Sequence, residues 1–145
     1  MRIAVGSDHA GFNLKSTLVE HLCAQGHDVL DLGTHEARSC DYPDYAVAVA
    51  RSVSSGEAAR GLLVCGTGLG VAITANKVPG VRAVTVSDTF SAHASREHND
   101  ANLLCLGERV VGSGLAKDIL DVWMKAEFEG GRHTGRVAKI NALDR

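Results

Sequence analysis

Short apolar runs alternate with stretches of helical periodicity along the whole chain, and this alternation constrains the fold more tightly than any figure of composition. Arg2 to Gly6, Asp28 to Leu32, Gly61 to Cys65, Arg82 to Val86 and Asn102 to Leu106 read as strands. Gly61-Leu62-Leu63-Val64 carries no polar residue, the pattern of a strand covered on both faces, as in a parallel sheet. Between the strands, Phe12, Leu14, Leu18, Val19 and Leu22 make a helical stripe that ends near Gly26. Ala46 to Val53, Leu69 to Asn76 and Thr89 to His98 are further expected helices. Leu115 to Phe128 is a longer one, with Ile119, Leu120, Val122 and Trp123 turned inward. Gly33 to Pro43 reads as a loop, and the basic stretch from about Gly130 as an irregular tail, helical again from Val137. Five strands alternating with helices predict one doubly wound α/β domain over 1–145. It is expected to be a three-layer αβα sandwich with a five-stranded parallel sheet, right-handed crossovers and the flavodoxin-like order 2-1-3-4-5.

Composition narrows the partners. A net charge of −2 offers no global attraction to nucleic acid or to an anionic membrane. Met1 leads straight into a strand with no charged-then-apolar leader, and no apolar segment approaches the ~18 residues of a membrane span, so a cytoplasmic location is expected. Cys23, Cys40, Cys65 and Cys105 lack the C-x-x-C spacing of a zinc site and are expected to be reduced. His93 and His98 lie five apart, roughly 140° around a helix, which does not suit a shared metal. Neither metal nor cofactor is expected.

In a doubly wound sheet, ligands bind at the carboxyl ends of the strands. Ser7-Asp8-His9 follows the first strand, Cys65-Gly66-Thr67-Gly68-Leu69-Gly70 the third and Ser87-Asp88 the fourth; Arg96-Glu97-His98-Asn99-Asp100 precedes the fifth, with Glu108-Arg109 after it. The glycines allow a sharp turn with several N–H groups facing an oxygen-rich ligand, and the start of the next helix favours a thiolate at Cys65. Arg132 and Arg136, four apart beside Gly130-Gly131, can fork around a phosphate.

Each feature also has an ordinary structural explanation. A cysteine ending a strand is most often a small buried hydrophobe, and Cys23 and Cys105 are read that way; the glycine-rich loop sets Cys65 apart. Cys40 reads as exposed. Asp8 could simply cap a helix, and the two arginines could be a solvated tail. A dinucleotide site is the first rival function, because Gly66-x-Gly68-x-Gly70 follows a strand. The fingerprint requires G-x-G-x-x-G in the first βα turn, however, and the chain is too short for a second mononucleotide half. A non-catalytic phosphate-binding module is the second rival.

Taken in order, Gly6-Ser7-Asp8-His9-Ala10-Gly11, Asp41-Tyr42-Pro43, Cys65 to Gly70, Ala75-Asn76-Lys77, Arg96 to Asp100 and Gly130-Gly131-Arg132-His133 resemble the type B ribose-5-phosphate isomerase family over nearly the whole chain. The resemblance implies a cofactor-free homodimer that interconverts D-ribose 5-phosphate and D-ribulose 5-phosphate at an interfacial site, with a dimer of dimers as a larger form. It implies Cys65 as the base that moves a proton from C2 to C1 through a cis-enediolate, and Thr67 as a relay between O1 and O2. His98, helped by Asp8, would open the furanose. The amides of Gly66, Thr67, Gly68, Leu69 and Gly70 with Asn99 would form the anion hole, and His9, Arg109, Arg132 and Arg136 the phosphate site. Members without the thiol place a glutamate just inside the next helix, where this chain has Val71. Six-carbon phosphates such as allose 6-phosphate or galactose 6-phosphate are the alternative substrates.

Overall fold

The computed structural model describes residues 1–145. Five strands, β1 (Arg2–Ser7), β2 (Asp28–Asp31), β3 (Arg60–Cys65), β4 (Ala83–Thr85) and β5 (Leu103–Gly107), form one sheet in which every pairing is parallel. Six helices accompany it: α1 (Phe12–Ala24), α2 (Tyr42–Ser54), α3 (Leu69–Ala75), α4 (Thr89–Glu97), α5 (Ser113–Lys125) and α6 (Arg132–Asn141). A 3₁₀ turn over His9–Gly11 joins β1 to α1.

Alternation along the strands sorts the core into two layers. Ile3, Val5, Leu62, Val64, Leu104 and Leu106 face α1, α4 and α5, and pack on Leu14, Leu18, Leu22, Ala92, Ile119, Leu120 and Trp123. Ala4, Leu63, Cys65, Leu103 and Cys105 face the other way, onto the small residues Ala46, Ala50, Ala72 and Ala75 of α2 and α3. The expected αβα sandwich is therefore present. Its helices run back against the strands, so the N-terminus of each connecting helix lies at the carboxyl edge of the sheet and its C-terminus at the amino edge.

The strand order is β2-β1-β3-β5-β4, which corrects the expected 2-1-3-4-5 at one edge. All five residues of β5 are buried, whereas the three of β4 are half-buried. A strand apolar along its whole length gains most between two neighbours, and a short, partly polar one tolerates an edge. Asn76 closes that edge: its Nδ2 donates to the Ala83 carbonyl and its Oδ1 accepts from the Ala83 N–H, each at 2.9 Å.

Four further expectations change. The stretch after Gly131, expected to be irregular as far as Val137, is helical from Arg132. Helix α5 ends at Lys125, short of Phe128, with Ile119, Leu120 and Trp123 buried and Val122 only partly so. Cys23, expected in the core, lies on the exposed face of α1, while Cys40, expected to be exposed, is half-buried; Cys105 is buried as expected. No helix is long and apolar enough to cross a membrane.

Candidate active site

At the carboxyl edge of the sheet, Cys65 closes β3 and lines a hollow of about 360 Å³ together with Asp8, His9, Ala10, Tyr42, Gly66, Thr67, Gly70 and Arg109. The sulfur is nearly enclosed, at 5% residue exposure, yet it opens onto this hollow. The N–H of Gly68 donates to Cys65 Sγ at 3.1 Å, which fixes the sulfur against the loop. Cys105, on the neighbouring strand, is fully buried. Burial first, and the nearby Cys65 second, push its thiol well above the usual range, so it stays protonated and inert.

Backbone hydrogen bonds fix the loop that carries the sulfur. The Glu108 N–H donates to the Cys65 carbonyl (2.9 Å) and the Arg109 N–H to the Gly66 carbonyl (3.1 Å), so the turn after β5 and the loop after β3 are tied together. The Glu108 carboxylate in turn accepts from the Leu14 N–H in the first turn of α1. Thr85 Oγ1 donates to the Gly68 carbonyl at 2.7 Å. Two of the amides expected to face an anion have partners within the loop: Gly68 N–H is held by the sulfur, and Leu69 N–H by Thr67 Oγ1 at 3.2 Å.

Asp8 fulfils its capping role. Its Oδ1 accepts from the N–H groups of Ala10 and Gly11, at 3.0 and 3.1 Å, while its second oxygen makes no hydrogen bond within the chain. His9 Nδ1 accepts from the Cys40 N–H at 3.2 Å, which places the ring proton on Nε2 and makes that nitrogen a donor. The nearby loop is anchored from below by buried Lys15, whose Nζ donates to both oxygens of Asp31 and to the Thr34 carbonyl. Tyr42 was missed as a lining residue by sequence reasoning. Its ring lies 2.6 Å from where a Cβ on Gly70 would stand, so residue 70 must be glycine for the tyrosine to form this wall.

The remaining expected residues are elsewhere in this chain. His98 and Asn99 follow the C-terminus of α4, hence at the amino edge, and Asn99 lines a separate groove with Asn76, Val81, Arg82 and Ile140. Helix α6 sits at that same edge, tied there by Glu129 N–H to the Glu97 carbonyl (3.1 Å) and by Arg82 to Asn141 (3.1 Å). Arg132 and Arg136, four apart on α6, are both exposed. The grouping of His98 and Asn99 with the carboxyl-edge residues is thus corrected for a single chain: a six-residue strand, about 16 Å from end to end, separates the two edges, more than a side chain spans. His98 and Asn99 were grouped with the carboxyl-edge residues because they adjoin β5 in sequence, but they enter that strand rather than leave it.

At the amino edge the rings of His98 and His133 stack, with centroids 4.5 Å apart and planes 17° from parallel. Burial first, then the charges of His98 and Arg132, hold His133 below the usual histidine range. His98, Glu129 and His133 bring their donor atoms within 4.8 Å of one another and are the residues that could hold a metal ion. The arginines of α6 set a positive field there that disfavours a cation and suits an anion.

With the geometry established, comparison with known proteins fixes the family. The ribose/galactose isomerase family model matches residues 3–140. Ribose-5-phosphate isomerase B of Escherichia coli (strain K12) is 51% identical, covering 99% of this chain and 96% of that one. D-erythrulose-4-phosphate isomerase of Pectobacterium atrosepticum is 43% identical, over 97% and 93% respectively. Among solved structures, ribose-5-phosphate isomerase B of Clostridium thermocellum superposes with a TM-score of 0.98 at 56% identity, over 99% of this chain and 97% of that one. Ribose-5-phosphate isomerase B of Mycoplasma genitalium, solved with bound ribulose-5-phosphate, gives 0.94 at 43% identity, over 97% and 94%. This chain is an isomerase and belongs to the ribose/galactose isomerase family.

Proposed function

We propose that the protein interconverts D-ribose 5-phosphate and D-ribulose 5-phosphate as a homodimer, each site combining the Cys65 edge of one copy with the His98 edge of the other. The observation that carries this reading is the sulfur of Cys65, held by an amide donor at the floor of a hollow walled by Asp8, His9 and Arg109. The division of the residues between the two edges supports the dimer, because a two-fold pairing can bring opposite edges of two copies together twice. All four thiols are free, which suits a reducing compartment such as the cytoplasm.

The chemistry follows from the substrate. In its open form ribose 5-phosphate carries a weakly acidic hydrogen at C2, beside the C1 carbonyl. Cys65 removes that proton, the cis-enediolate forms with its charge facing loop amides and Asn99 of the second copy, and the proton returns to C1. Thr67 moves the hydroxyl proton between O1 and O2. The closed furanose must first open: His98 gives a proton to the ring oxygen as its bond to C1 breaks, and Asp8 accepts the proton from O1. His9, Arg109, Arg132 and Arg136 hold the phosphate, so binding energy at the inert end positions the reacting carbons. A dedicated ring-opening group favours a sugar phosphate that cyclises. The kcat/KM for ribose 5-phosphate against allose 6-phosphate tests the pentose preference directly.

The decisive experiment is turnover of ribose 5-phosphate by Cys65→Ala. A loss of roughly 10³-fold or more with an unchanged melting temperature is expected, since the proton acceptor is removed and little packing is lost. Near-normal turnover would refute the assignment.

A further inference from the structure

We propose that His133 is a positioning residue for ring opening, a flat aromatic platform that holds the His98 imidazole in its working orientation without taking part in proton transfer at Cys65. The inference rests on the isomerase reading above and extends it to a residue with no role so far. His133 is buried, at 5% exposure, on the second residue of α6, and shares its helix face with buried Val137 four residues on. Its ring is therefore set by the packing of α6, whereas His98, half-buried at the end of α4, has far more freedom unless something fixes it. The 4.5 Å stack supplies that constraint.

The near-parallel stack, with planes 17° apart, presents the face of the His133 ring to that of His98. Glu129 Oε2 stands 3.5 Å from His133 Nε2 without forming a hydrogen bond, and no other side chain or carbonyl bonds to that nitrogen. His133 thus offers its face to His98 while its own buried nitrogen makes no competing bond.

Ring opening and proton transfer can be read separately because D-ribulose 5-phosphate cannot close a five-membered ring: the oxygen it would need carries the phosphate. Exchange of its C1 hydrogen with deuterated water, followed by NMR, reports proton transfer alone. Conversion of ribose 5-phosphate reports both steps. For His133→Ala, kcat/KM on ribose 5-phosphate should fall roughly ten-fold or more, with C1 exchange within about two-fold of wild type. His133→Phe, which keeps the stacking face, should restore most of the conversion. Equal losses in both readouts would make His133 merely structural and overturn the inference, as would undiminished conversion in the alanine variant, or a phenylalanine variant no better than alanine. A wild-type protein that shows neither conversion nor exchange would instead overturn the isomerase reading itself.

Discussion

Gly66, Gly68 and Gly70 alternate through the loop after β3, and each is glycine for its own reason. At Gly68 the backbone takes φ +78°, a region that costs other residues about 1–2 kcal/mol. At Gly66 a Cβ would stand 3.2 Å from the Arg109 guanidinium, and at Gly70 it would strike the Tyr42 ring. The alternation that suggests an amide cradle for an anion thus serves in part to admit two side chains that wall the hollow. Gly68→Ala should therefore lower the melting temperature, whereas Gly70→Ala should chiefly raise KM by displacing Tyr42. Melting curves and steady-state kinetics on the pair check this; a Gly70→Ala variant with unaltered KM would contradict it. Cys65, Asp8, His9 and Arg109 were legible in the sequence because residue type and strand-end position coincide. Tyr42 was not, since its place depends on a contact with residue 70 across the sheet edge. The available clue was Pro43 directly after it, in the first turn of α2, which marks a rigid helix start beside the site.

At the scale of elements, the alternation of strands and helices was readable throughout, and the exchange of β4 and β5 was the principal error in topology. The signal for the right order was present: Leu103-Leu104-Cys105-Leu106 is apolar without a break, while β4 follows Arg82 and ends in Thr85. The helical start at Arg132 escaped notice because glycines flank it and Gly135 interrupts it, so only the packing of His133 and Val137 reveals the helix. Helices α1 and α5 are joined by a clasp in which His21 Nε2 and Gln25 Nε2 each approach an Asp121 carboxylate oxygen to 2.8 Å. Partial burial alone would raise the Asp121 carboxyl, but the two hydrogen bonds and the charges of His21 and Lys125 outweigh it and hold the group below its usual range. A depressed carboxyl contributes stability above its unfolded value near 3.9 and loses it as the pH falls through the folded value. Asp121→Asn should therefore cost under about 1 kcal/mol at neutral pH. The gap in melting temperature between variant and wild type should narrow as the pH falls below the ordinary carboxylate value and close once the folded carboxyl is protonated. A gap that persists in acid would contradict the account of the clasp.

For the whole molecule, the two edges of the sheet divide the chemistry. The carboxyl edge holds the thiol, the capping aspartate and the histidine with its fixed tautomer; the amino edge holds the stacked imidazoles, Asn99 and two arginines. The sequence lists all of these residues but not their separation, because neighbours along the chain around a βα turn lie at one edge while the far end of the same helix lies at the other. A single copy keeps Cys65 and His98 at opposite edges, and in the proposed dimer two copies related by a two-fold axis would bring them together. Mixing two inactive variants, Cys65→Ala and His98→Asn, under conditions that exchange subunits tests this most directly. Half of the dimers should then be mixed, each with one intact site and one doubly altered site, and turnover of ribose 5-phosphate should return to roughly one quarter of the wild-type rate. A mixture no more active than its separate components would contradict a site shared between two chains.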